Sequence, residues 1–128
     1  MPYVNVWIHL TWSTKYRLPV LNKKIRYQMT RHIRENARLK GIIVDHINIV
    51  DDHVHILVSM KADQSIASIV HLIKGESSHW INQQKLFNFR FEWQEEYYAI
   101  SVHRSAIPKI RRYIRNQGEH HLRKGGSD

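Results

Sequence analysis

Ile42-Ile43-Val44-Asp45-His46-Ile47-Asn48-Ile49-Val50-Asp51-Asp52-His53-Val54-His55-Ile56-Leu57-Val58-Ser59-Met60 sets two runs rich in β-branched residues on either side of an Asp-Asp pair. Branched side chains suit a pleated surface, and aspartates form turns by bonding the nearby backbone. The stretch therefore predicts an antiparallel hairpin, with strands over 42–50 and 53–60 and a turn at Asp51-Asp52. Successive side chains on a strand point to opposite faces, so Val54, Ile56 and Val58 share one face while His53 and His55 share the other. Two imidazoles side by side on a strand anchored in a core make half of a metal site. They lack a third ligand and a group that reacts.

Upstream, residues 3–13 alternate strictly, with Val4, Val6, Ile8, Leu10 and Trp12 on one side and Tyr3, Asn5, Trp7, His9, Thr11 and Ser13 on the other. The pattern predicts a half-buried strand whose second face, with Trp7 and His9, can stack on or hydrogen-bond to bases. Asn22 suits the N-cap of a helix that buries Ile25, Met29, Ile33 and Ala37, with Leu39 as a further candidate, and that ends at Gly41. Lys23, Lys24, Arg26, Arg31, Arg34 and Arg38 fall on its other face.

Downstream, Asp63 or Ser65 caps a second helix with Ile66, Ile69, Val70, Ile73, Ser77, Trp80 and Ile81 at helical spacing. Gly75 inside it costs about 1 kcal/mol against alanine, which close approach of DNA or of another backbone would explain, as would a plain packing glycine. A polar-aromatic connection over 88–96 leads to a fourth strand over 97–103, with Tyr98, Ile100 and Val102 expected inward. Ser105 is the expected cap of a last helix with Pro108 in its first turn and Ile107, Ile110 and Ile114 as its apolar stripe. On that helix Tyr113 and Gln117 stand four apart and so lie one above the other.

The order β-α-β-β-α-β-α predicts an α+β chain: a ferredoxin-like split βαβ, with a four-stranded antiparallel sheet and an added C-terminal helix carrying the tyrosine. Two helices would cover one sheet face and leave the other open, with His53 and His55 looking out from it. One domain over 1–118 is expected, followed by a flexible tail over 119–128.

Composition narrows the chemistry. Lys and Arg number 20 against 11 Asp and Glu, a formal charge of +9 with pI near 10.0, which calls for a polyanionic partner. With no cysteine, thiolate metal sites, disulfides and cysteine nucleophiles are excluded. At 128 residues the chain is too short for an amidohydrolase barrel, which needs roughly 250. No Gly-x-x-x-x-Gly-Lys loop, membrane span or signal-peptide layout is present, and the expected location is cytoplasmic.

A His-x-His pair is weak on its own in a chain with ten histidines. Joined to Tyr113-x-x-x-Gln117 on a terminal helix, it resembles the HUH single-tyrosine transposases of the insertion-sequence-200-like family. The resemblance extends through Val50–Leu57, through Ile73-Lys74-Gly75-Glu76-Ser77-Ser78, through Phe91–Tyr97 and through Tyr113–Gln117 with Glu119-His120-His121. Glu96 stands where the family usually has glycine, and His79 where arginine is common.

The resemblance implies that His53, His55 and Gln117 bind Mg²⁺ or Mn²⁺ and that Tyr113 is the nucleophile. It also implies a single-stranded DNA partner with a hairpin, and a homodimer in which one subunit's tyrosine helix completes the other's site. Arg111, Arg112 and Arg115 beside Tyr113, together with Lys74, His79, Trp7 and His9, are the candidate DNA contacts. Two neutral nitrogens and an amide oxygen leave coordination positions for a phosphate oxygen and water.

Three rival readings stand. A domesticated relative acting on repeated extragenic palindromes would share every one of these residues. A non-catalytic single-strand or RNA-binding module would bind without metal or Tyr113. A water-activating phosphodiesterase would form no protein-DNA adduct, and the chain lacks the carboxylates such sites recruit.

Overall fold

A computed structural model describes residues 2–117; the tail expected over 119–128, with Glu119, His120 and His121, lies outside the described residues. Strands β1 (Val6–Ser13), β2 (Ile43–Ile49), β3 (His53–Met60) and β4 (Tyr98–Val102) form one antiparallel sheet in the order β2-β3-β1-β4. Helices α1 (Lys23–Leu39), α2 (Ile66–Gln83) and α3 (Ile107–Arg115) complete the fold. This is the split βαβ arrangement, in which β3 lies between β1 and β2.

Local chemistry sets the helix ends. The Asn22 side chain accepts the Ile25 N–H at 2.9 Å, and the Ser65 hydroxyl accepts the Ser68 N–H at 3.1 Å, so Ser65 and not Asp63 caps α2. Gly41 takes φ +72°, a left-handed exit that a Cβ would strain, and the chain turns directly into β2. The expected Ser105 cap is instead a short 3-10 turn over Arg104–Ala106, where His103 Nδ1 accepts the Ser105 N–H at 3.1 Å. Pro108 sits in the first turn of α3, where its missing N–H costs little.

The main core lies between the sheet and the first two helices. Ile8, Leu10 and Trp12 of β1 and Val54, Ile56 and Val58 of β3 pack against Ile25, Met29, Ile33 and Ala37 of α1 and Ile69, Val70, Ile73 and Ile81 of α2. Phe91 and Trp93 of the connection join this core, and Trp93 Nε1 donates to the buried Ser77 hydroxyl at 2.9 Å. Leu39, which also fits the α1 stripe by spacing, is exposed. So are Val4 and Val6, because pairing begins only at Val6.

The second sheet face is not open. Leu57 points to it beside the histidines and is 0 % exposed, because Ile107 and the equally buried Ile114 of α3 close over it, with Trp7, Ile110 and Val102 at the margin. The third helix lies mainly on the β2-β3 half of this face, touches Trp7 and His9 of β1 and Val102 of β4 at its margin, and leaves the rest of β4 uncovered. The expectation that Tyr98 and Ile100 point inward therefore fails. They share the histidine face, opposite Thr11 and His9, and Ile100 is 62 % exposed on an edge strand that α3 touches only at Val102.

Replacing Ile114 by alanine should lower stability by about 2–4 kcal/mol in urea denaturation, because it opens a cavity under α3. Ile100→Ala should cost no more than about 1 kcal/mol. Equal effects would mean that α3 does not dock on this face.

Candidate active site

The register carries the site residues to one place. Across β1 and β3, Ser13 faces His53, Thr11 faces His55 and His9 faces Leu57. The rings of His53 and His55 lie 4.9 Å apart, centre to centre, at 75°. His55 is only 6 % exposed, because α3 roofs it.

Each histidine is oriented through its Nδ1. The His53 Nδ1–H donates to the Asp52 carboxylate at 2.7 Å, and Asp52 also faces Arg17 Nε at 3.4 Å. Burial pushes the Asp52 carboxyl up, but the hydrogen bond from His53 and the charges of His53 and Arg17 outweigh it and hold Asp52 below its ordinary value. His55 Nδ1 lies 3.0 Å from His9 Nε2. Its Nε2 is buried with no hydrogen-bond partner. Burial, helped by the charges of His53 and His9, pushes the His55 imidazole from 6.5 down to about 3, so it is neutral near pH 7.

The tyrosine helix comes down on this pair. The Tyr113 ring meets His55 edge-on at 5.6 Å and His9 at 5.9 Å, while 47 % of the residue stays exposed. Gln117 is buried, but it does not extend the helix as its spacing suggests, since α3 ends at Arg115 with Asn116 as its C-cap. Its amide still reaches back one turn and donates to the Tyr113 carbonyl at 3.2 Å. That leaves the amide oxygen as the end available to accept.

Polar anchors on β2 fix where α3 sits. A register shift between Val44 and His46 bulges the strand at Asp45. Arg111 grips that carboxylate with two hydrogen bonds, Nε to Oδ1 at 2.8 Å and Nη2 to Oδ2 at 2.9 Å. The Arg111 bond holds the Asp45 carboxyl below its ordinary value against the opposing effect of burial. Asn48 donates to the carbonyls of Ile114 and Arg115 at 2.8 and 3.3 Å, two of the acceptors that a helix C-terminus leaves without partners.

Of the residues singled out in the sequence, His53, His55, Tyr113 and His9 meet directly, with Gln117 one turn beyond Tyr113. Arg112 and Arg115 are exposed beside them. Arg111 is engaged by Asp45 and lies over the Trp7 ring at 5.8 Å, and both side chains stay partly exposed. Lys74 and His79 sit on α2, across the sheet from the histidines. Lys74 Nζ binds the backbone carbonyls of Gln94 and Glu95. Gly75 has nothing within 4 Å of where a Cβ would stand, so no close backbone within the chain explains it.

Sequence reading missed the parts played by Asp45, Asn48, Asp52 and Arg17. Asp52 has a visible signal, adjacency to His53, but turn formation is the stronger reading of the Asp51-Asp52 pair from sequence, ahead of metal ligation. Asp45 had only its presence as an acid in a run rich in β-branched residues.

The residues present fit a divalent cation. His53 and His55 are held so that both Nε2 atoms remain for another partner, and one of them is an orphaned buried nitrogen. Among the described residues no three His, Cys, Asp or Glu side chains cluster with metal-site spacing. A third protein ligand here would have to be of another kind, such as an amide oxygen.

An α+β sheet that brings a histidine pair under a helical tyrosine defines the class of protein. The family described as "Transposase IS200 like" matches residues 2–117, and the chain belongs to that family of DNA-cutting and rejoining enzymes. It is 29 % identical over 115 residues to the ISDra2 transposase TnpA of Deinococcus radiodurans, spanning 85 % of this chain and 81 % of that one. It is 26 % identical over 117 residues to the transposase for insertion sequence element IS200 of Salmonella typhimurium, spanning 87 % and 76 %.

Solved structures agree in fold. A Deinococcus radiodurans crystal structure described as a transposase superposes with TM-score 0.72 at 25 % identity, covering 91 % of this chain and 95 % of that one. A REP-associated tyrosine transposase bound to a REP hairpin superposes with TM-score 0.69 at 18 % identity, covering 94 % and 72 %. No described helix is long and apolar enough to cross a membrane.

The neutral His55 has a consequence for stability. In the unfolded chain it takes up a proton as pH falls through 6.5, whereas the folded chain resists until about 3. Stability is therefore full above pH 6.5 and is lost as pH falls toward 3. Urea midpoints measured in chelator should decline across this window, and the decline should be shallower in His55→Asn.

Proposed function

We propose that this chain is a single-stranded DNA transposase that cuts and rejoins DNA beside hairpin ends through a 5′-phosphotyrosine link on Tyr113. His53, His55 and Gln117 would hold Mg²⁺ or Mn²⁺. The observation that carries the reading is the edge-on contact of Tyr113 with His55, 5.6 Å between ring centres, beside an imidazole nitrogen that has no other partner.

The chain's own groups suit the chemistry. Tyr113 is partly exposed, so a flexible backbone can reach its hydroxyl, while its ring is braced against two imidazoles. A bound cation supplies Lewis-acid polarisation of the scissile phosphate and stabilises the phenolate. Tyr113 gives up its hydroxyl proton to solvent as its oxygen bonds to phosphorus, the P–O3′ bond breaks, and the 3′ oxygen leaves and takes up a proton. The 5′-phosphate stays on Tyr113, and attack by a new 3′-hydroxyl reverses the exchange, so joining requires no ATP. The C-terminal end of α3 faces this region, and the partial negative charge of a helix C-terminus favours a cation nearby.

Arg112 and Arg115, exposed on either side of Tyr113, would follow the DNA backbone. Arg111 fixes the helix through Asp45 and is not part of that track. Lys74 and His79 stay outside the cleavage site in this reading. A homodimer with exchanged tyrosine helices belongs to the proposal on the strength of the family resemblance; in it the Tyr113–His55 contact made here within one chain would form between subunits, and the exposed β4 edge offers a surface for pairing. Action inside the cell, on the chain's own DNA, goes with this reading.

Incubation with Mn²⁺ and a labelled single-stranded hairpin from the flank of its own gene should give a slow band on a denaturing gel. That band should disappear with EDTA, in Tyr113→Phe and in His53→Ala/His55→Ala. Binding without any adduct would favour the non-catalytic module instead. Mixing Tyr113→Phe with His53→Ala/His55→Ala should restore the adduct, because exchanged helices rebuild one complete site; silence in the mixture, with the wild type active, would place the tyrosine in its own subunit's site.

A further inference from the structure

We propose that His9 is a positioning residue that fixes the tautomer and ring angle of His55, so that the His55 Nε2 lone pair, and not an N–H, points into the site. The inference rests on the metal-site reading above and adds to it a residue that contributes no ligand. His9 and His55 lie on different strands, β1 and β3. They are diagonal neighbours on one face, since His9 pairs with Leu57 and Thr11 with His55. At this separation only sizeable side chains meet. Here they do, with His9 Nε2 3.0 Å from His55 Nδ1 and ring planes 30° apart.

An imidazole-imidazole hydrogen bond between neutral rings has one proton between its two nitrogens. If it sits on His9, the His55 proton must occupy Nε2, an N–H buried without an acceptor, and no lone pair is left for a cation. If it sits on His55 Nδ1, His9 Nε2 accepts and the His55 Nε2 is a free lone pair. Buried donors without acceptors are rarer than under-used acceptors, so the second arrangement is favoured even before a cation is considered. Tyr113, edge-on to both rings, shields the bond from water that would otherwise compete for either nitrogen. Asp52 does the corresponding work for His53. The pair thus has two different orienting partners, a carboxylate for the outer ring and a neutral imidazole for the buried one.

The test uses two variants of the whole chain and two readouts. In His9→Phe the ring volume stays and the acceptor goes; in His9→Gln the amide oxygen stands near the lost Nε2. ¹⁵N NMR of metal-free wild type at mildly alkaline pH should show His55 protonated on Nδ1, and in His9→Phe that tautomer should become mixed. Mn²⁺ affinity, read by titration, should fall about 10–100-fold in His9→Phe and return to within a few-fold of wild type in His9→Gln.

A wild-type His55 protonated on Nε2, or equal Mn²⁺ affinity in His9→Phe and wild type, would overturn the proposal. Should His9→Phe fail to fold, the wild-type tautomer together with the affinity of His9→Gln decides it. Failure of wild type itself to bind Mn²⁺ would overturn the metal-site reading instead, while the tautomer measurement would still judge His9.

Discussion

Everything at the site depends on β3 being buried on both of its faces. A strand has two faces and a period of two, so a single run can serve two cores at once. Val54, Ile56 and Val58 hold the sheet to α1 and α2, while Leu57, between His55 and Ser59 on the other face, is the seat for α3. The seat decides the chemistry. Ile114 follows Tyr113 in sequence, so locking Ile114 onto Leu57 brings the tyrosine to the histidines. A one-residue slip of β3 would send the histidines into the main core and the valines to the helix that carries the tyrosine.

Polar contacts then refine what apolar packing has docked. Asp45 and Asn48, both on β2, hold α3 by a side chain in its middle and by carbonyls at its end. Asp52 and His9 set the angles of the two imidazoles. The balance of burial follows the same division. His55, under the helix, is kept neutral by desolvation, whereas His53, nearer the turn, shares its Nδ1 proton with a carboxylate that stays ionised. Only His55 is held neutral by its burial, and in the proposed reading its nitrogen would face a cation near a helix C-terminus, leaving room for the negative charge of a phosphate.

Much of this was legible in the sequence because it follows from period and capping. The alternation in β3 and in β1 from Ile8 onward, the α1 stripe apart from Leu39, the buried stripe of α2, Asn22 as a cap and Gly41 as an exit appear as read, as does the strand order that the connections imply. What escaped reading is tertiary. Nothing local to Ile107, Ile110 or Ile114 says which sheet face they seek, so the histidine face looked open. Tyr98 and Ile100 alternate like buried strand residues, but they occupy the part of an edge strand that α3 does not reach. Arg111 has the look of its neighbours Arg112 and Arg115. Only the bulge at Asp45, which has no sequence signature of its own, separates it from them.

The most direct test of the account is an anomalous scattering map from crystals grown with Mn²⁺. The account predicts one strong peak within coordination distance of His53 Nε2, His55 Nε2 and the Gln117 amide oxygen, with the Tyr113 hydroxyl turned toward it. A peak held by other residues, or none at the histidine pair in crystals that are otherwise well occupied by Mn²⁺, would contradict it.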